Sequence, residues 1–165
     1  MIGLISGALL SGVLVGAAGN VIQLVPEGVR LVVLVVGVAG ILVFEFAGRP
    51  LRLPQNGRAV PQTIIDGPWA AAPLQFGFEM GTGVRTFMPT ALPHALVLMV
   101  ALAGGLGPGF LAGLGFGVGR SAMPLVRMFS GAPYDWDAQL GRSLRWVGRT
   151  TATAFLLAAV VLLVG

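Results

Sequence analysis

The sequence contains no cysteine, no lysine and one histidine, and only six acidic side chains among its 165 residues. Without cysteine the chain can form no disulfide, hold no metal through thiolate and pass no electrons through a dithiol. The one histidine, His94, has neither cysteine nor carboxylate at metal-ligand spacing, so no metal site and no cofactor is expected. Carboxylates paired at a common depth and a Ser/His/Asp set are also missing, so no enzyme is expected.

Charge is scarce throughout. Charged residues make up 10% of the chain and hydrophobic ones 56%, and the mean hydropathy is +0.91. So few polar side chains cannot cover a water-soluble domain, and the natural solvent is a lipid bilayer. The net charge of +4 rests on ten arginines. No basic cluster interleaves with aromatics in a polar context, so nucleic acid is not an expected partner.

A bilayer crossing needs roughly 20 largely uncharged residues in a helix. The sequence offers such stretches at about 2–24, 28–47, 76–103, 104–123 and 146–164. The expected fold is therefore all-α: one integral membrane domain, a polytopic helical bundle of about five transmembrane helices. Glycines 3, 7, 12, 16 and 19 of the first span recur at spacings of three to five and suit close helix packing. Glu45, between Phe44 and Phe46, reads as an interfacial, hydrated carboxylate at the end of the second.

Between spans two and three, residues 48–73 carry Pro50, Pro54, Pro61, Pro68 and Pro73 with Arg49, Arg52 and Arg58, which excludes a spanning helix. Residues 124–146 hold Asp135, Asp137, Arg142 and Arg145, and with Arg149 the last arginines fall on one helical face. Five crossings place both segments on one side with nearly every extramembrane arginine. By the preference of arginine for the inner face that side is cytoplasmic, with the N-terminus inside and the C-terminus outside. Arg120 and Pro124 are expected to end the fourth span.

The third span is unlike a lipid-facing helix. Gly81 and Gly83 loosen it, while Pro89 and Pro93 each remove an amide donor, so a broken helix is expected there. Arg85 lies mid-segment, where an arginine costs at least ~2.5 kcal/mol to insert and must face the bundle interior. Glu79 is its nearest candidate partner. Six residues at ~100° each set the two about 120° apart on an intact helix, so pairing requires the break. Thr82, Thr86 and Thr90 recur every four residues and form either a hydroxyl stripe or bonds to their own carbonyls. Arg120, after the glycines at 113, 115, 117 and 119, faces either the same interior or the interface.

The run Met88-Pro89-Thr90-Ala91-Leu92-Pro93, after the glycine-bearing residues 76–83, resembles the Pro-Cys-x-x-Pro element in the broken helices of the DsbD/CcdA transmembrane electron carriers. The glycine-rich residues 115–124 resemble that family's helix before a proline, so the likeness spans about 76–130. It implies a cavity-forming, helix-broken architecture. Thr90 stands where the family has cysteine, so the family's thiol chemistry does not carry over.

The expected function is that of a transporter- or permease-like protein binding a small polar or anionic solute at the broken helix, through Arg85, Thr86, Thr90, Glu79 and Arg120. The alternative is a non-catalytic accessory or assembly subunit of a membrane complex. The glycine faces suit either a homo-oligomer or a partner subunit.

Overall fold

The computed structural model describes residues 1–49, 51, 71–83 and 90–164. Among these the chain is helical, with no strand: α1 (Ile2–Ile22), α2 (Glu27–Phe46), α3 (Ala71–Gly81), α4 (Leu92–Ala103), α5 (Leu106–Phe129) and α6 (Pro133–Val164). Among the described residues α1, α2 and α5 are long and apolar enough to cross a membrane. On α2, Leu31, Val32, Val33, Val35, Val36 and Val43 are exposed, a continuous apolar surface that water would not tolerate and lipid does.

Two kinds of packing hold the bundle. The first is backbone against backbone around α1, made possible by glycine. Gly3 and Gly7 abut Leu74, Phe78 and Thr82, so α3 runs parallel to the first half of α1. Gly19 abuts Ala101 and Gly104, and α4 is antiparallel to α2, which returns from the end of α1 (Arg30 at Leu102, Glu45 at Ala91), so α4 runs along the second half of α1. Gly16, Gly12, Ala8 and Ile5 meet Gly105, Gly109, Gly113 and Gly117 in reverse order, so α5 is antiparallel. The Gly105 N–H donates to the Gly16 carbonyl at 3.0 Å, tying the start of α5 to α1. A side chain on most of these glycines would strike a carbonyl of the facing helix, and small residues let helices approach this closely.

The second kind is side chain against side chain. Val38 and Leu42 of α2, Leu92 and Ala95 of α4 and Ala152 of α6 form a buried cluster, flanked by Leu98, Met99 and Phe155. There α2 runs antiparallel to α4 and α6.

The period of two in the α5 glycines separates into two interleaved series. Gly105, Gly109, Gly113 and Gly117, four apart, face α1, whereas Gly107, Gly115 and Gly119 meet nothing within 4 Å. One series makes the internal contact and the other is left on the outside.

Several expected boundaries move. Pro124 does not end the fourth helix, and nor does Arg120: α5 continues to Phe129 with Pro124 inside it. Membrane bundles tolerate such a proline because the carbonyl it frees finds other partners. Residues 124–146 are helical on both sides of a turn: they complete α5, turn at Gly131 (φ 69°) and begin α6, which is continuous for 32 residues. Pro73 falls in the first turn of α3, where a missing N–H costs nothing. The 76–103 stretch comprises two helices, α3 and α4, and most of 48–73 lies outside the described residues.

Candidate functional site

The α3–α4 junction lies halfway along α1. Helix α3 ends at Gly81, the Thr82 N–H donates to the Phe78 carbonyl at 3.0 Å, and Gly83 takes φ 71°, a left-handed stop that glycine adopts freely. The Thr82 hydroxyl donates to the Glu79 carbonyl at 2.8 Å, and the Ser11 hydroxyl, from the middle of α1, donates to the Thr82 carbonyl at 3.2 Å. Gly81 is a contact residue rather than a loosening one, since a Cβ there would strike the Leu4 carbonyl.

Beyond the junction, α4 begins at Leu92 with Pro93 in its first turn. Pro93, expected to remove an amide donor within a span, stands in a first turn that needs no amide partner. Ala91 lies ten residues before Ala101, about 15 Å along the helix axis. That places it at the depth of Leu9 and Ser11, level with the end of α3. The negative carbonyl end of α3 and the positive amide end of α4 thus lie at one depth.

Glu45 closes the amide end. Its Oε2 accepts the Ala91 N–H at 3.1 Å, and Gly148 of α6 lies beside its Oε1. The expectation of a freely hydrated interfacial carboxylate is therefore corrected: Glu45 is half-buried where α2, α4 and α6 meet. An amide donor at a helix start holds a carboxylate more strongly than a surface pair would. Neither Glu45 nor Ser11 was a candidate from the sequence. The only signals were a carboxylate set between two phenylalanines and a hydroxyl in an apolar run.

Of the expected site residues, Arg85, Thr86 and Pro89 lie outside the described residues. Thr90 is half-buried next to the Ala91 amide, and Glu79 is half-buried on the last turn of α3, its Oε1 3.5 Å from the Gln75 amide nitrogen. Arg120 is half-buried on α5, its guanidinium 5.7 Å from the Phe116 ring centroid, one turn past the Gly117–Ile5 contact. His94 is half-buried in the first turn of α4, its backbone N–H donating to the Ala91 carbonyl at 3.0 Å. Among the described residues no three His, Asp or Glu side chains gather in a way that could hold a metal.

At the opposite end of α4 a second polar cluster caps the helix. Arg30 donates from Nη1 to the Leu102 carbonyl at 3.1 Å and to Gln23 Oε1, and from Nε to the Val25 carbonyl at 3.1 Å. Gln23 Nε2 donates to the same Leu102 carbonyl at 3.0 Å. A cation on terminal carbonyls suits the negative end of the helix. Arg30 is thus a structural clamp as well as a charge that bears on orientation.

At the arginine-rich end, Arg127 and Asp137 form a two-pronged pair, Nε to Oδ1 at 2.8 Å and Nη2 to Oδ2 at 2.9 Å, closing the α5–α6 turn. The hydrogen bond from Arg127 holds the Asp137 carboxyl below the usual carboxylate range. No family model, no curated protein and no solved structure matches the chain.

Proposed function

We propose that the chain is an integral membrane protein of five crossings, in which α3 and α4 together make one interrupted crossing that serves a small polar or anionic solute. The role is transporter- or permease-like, a carrier and not an enzyme. The observation that carries this reading is the end-to-end placement of α3 and α4 along α1, with the junction at mid-height. Free backbone groups at that depth must face protein or water, and interrupted helices place them where a solute can use them. Ser11, Thr82, Thr90 and Glu45 surround the junction from the described side. Arg85 and Thr86, in the joining residues, supply the fixed positive charge and a hydroxyl for an anion.

Helix directions alternate under this reading, with α1, the α3–α4 pair and α6 running one way and α2 and α5 the other. The N-terminus then shares the cytoplasmic side with Arg49, Arg127, Arg142 and Arg145, and the C-terminus lies outside. An interrupted crossing is also what a DsbD/CcdA-like architecture contains.

The test exploits the absence of cysteine. Single cysteines at Thr90, Arg85 and the exposed Leu157 of α6 are treated with a membrane-impermeant maleimide from each side. Labelling at Thr90 or Arg85 but not at Leu157 supports a water-filled path, and Arg85→Gln should then abolish solute uptake while the protein stays folded. Silence at both positions means a dry junction and removes the reading.

A second reading, an accessory subunit that binds a membrane partner or another copy of itself, is favoured by the outward glycines of α5. Gly113 and Gly117 are spent inside the chain, so Gly115 and Gly119 are the positions that a neighbouring helix could approach. A partner that co-purifies with wild type and is lost with Gly115→Leu would support it.

A further inference from the structure

Helix α6 is longer than a membrane is thick. Its 32 residues extend about 48 Å at 1.5 Å per residue, against a hydrocarbon core of about 30 Å. The surplus lies at its N-terminal end. Gly148 is where α6 meets Glu45, and Ala152, one turn on, is already in the buried cluster with Val38 and Leu42. The residues just before Gly148 therefore lie where the helix leaves the bundle.

Arg142 and Arg145 stand there, and Arg149 directly follows Gly148; the three are at spacings of three and four, within an arc of about 60°. All three are exposed. Among the described residues none of them pairs with a carboxylate. Asp137 gives both oxygens to Arg127, Arg142 donates only to the Ala138 carbonyl at 3.3 Å, and the Arg149 guanidinium lies 5.9 Å from the Trp146 ring centroid. Trp146 is itself 69% exposed on the same stretch. An indole with an apolar body and one N–H donor sits best among lipid headgroups, and a guanidinium fork matches the two free oxygens of a phosphodiester. Arg49, three residues beyond the end of α2, lies at the same end of the bundle.

We propose that Arg142, Arg145 and Arg149, with Trp146, form a binding face for the phosphate headgroups of anionic lipids. The Arg127–Asp137 pair holds the turn before α6 closed and takes no part in binding. One carboxylate is used inside the turn, and three positive charges are left facing the headgroup layer.

The test uses the full chain in lipid nanodiscs of phosphatidylcholine with a minority of phosphatidylglycerol. With Trp69→Phe and Trp136→Phe, Trp146 is the only tryptophan. Its fluorescence is measured with bromine on the acyl chains of one lipid or the other. Phosphatidylglycerol should quench Trp146 in large excess over its share of the bilayer, and each Arg→Gln change should lower the excess about five-fold, the attraction of one basic residue to an anionic surface. A further check leaves these arginines intact: in 1 M salt, where the screening length is about 3 Å, most of the excess should vanish. Quenching by phosphatidylglycerol no greater than its share of the bilayer overturns the proposal, as does an excess that survives salt or the combined Arg142→Gln, Arg145→Gln and Arg149→Gln change.

Discussion

Gly113 and Gly115 are two residues apart on one helix and should respond differently to the same methyl group. A Cβ on Gly113 would lie 2.6 Å from the Ala8 carbonyl oxygen and 3.0 Å from the Leu9 Cα, both backbone atoms that cannot rotate away. Ordinary contact begins at 3.4 Å, so α1 and α5 must separate by about 0.8 Å, the difference between the two distances. Forcing that much volume into a close-packed interface costs about 1–3 kcal/mol. A Cβ on Gly115 meets nothing within 4 Å, and alanine there removes the entropy penalty of a helical glycine, a gain of about 0.5–1 kcal/mol. The entropy gain applies at both positions, so equilibrium unfolding in mixed detergent micelles should place Gly113→Ala below Gly115→Ala by about 1–3 kcal/mol, the packing cost alone. If Gly113→Ala proves as stable as Gly115→Ala, with neither below wild type, the α1–α5 register described above is wrong. Equal destabilisation by both changes would mean that the outer glycines are also covered.

Glu45→Ala should lower stability by about 1–3 kcal/mol by leaving the Ala91 amide without its acceptor, whereas Glu45→Gln, which keeps an oxygen, should lose less. Amide exchange at Ala91 reads the effect locally, and unchanged exchange in the alanine variant refutes the contact. Asp137, at the solvent-facing start of α6, is held below its ordinary range by the hydrogen bond from Arg127. Its contribution to closing the α5–α6 turn is thus fully present above the ordinary carboxylate range and lost as pH falls through the lowered value. The distance between spectroscopic labels on Met128 and Ala138 should increase on acidification in wild type, and already be larger at neutral pH in Asp137→Asn.

The extents of α1 and α2 are legible in the sequence because each is an uninterrupted apolar run bounded by polar or turn residues. The same holds for the hydroxyls of Thr150, Thr151 and Thr153, which bond to carbonyls three or four residues back as their place in an apolar helix requires. Other features depend on partners that local rules do not contain. Pro124 reads as a stop because its own helix loses a bond, yet α5 passes through it. The alternate-residue glycines of α5 look odd for a helix until one series is seen against α1. Glu45 looks hydrated from its position at a helix end, and only the start of α4, 46 residues later, reveals its acceptor role. Gly81 and Pro93, read as breaking elements, lie at the end of α3 and in the first turn of α4, and Gly83, read with them, takes φ 71°.

Helix α1 packs on α3, α4 and α5, while it and α2, though joined by a short turn, make little contact. During synthesis α1 therefore enters the bilayer before any of its partners exist, and α2, the helix beside it in sequence, is no substitute. At 5–20 residues per second, translation from Ile22 to Gly117 takes roughly 5–19 seconds. Throughout that time the part of its glycine face that meets α5, shaped for a backbone still to be made, is open to any other small-residue helix in the membrane. The contact that organises the finished bundle is thus also its longest exposure to mispairing, and the side-chain cluster of α2, α4 and α6 can close only after α1 has found α4 or left it free.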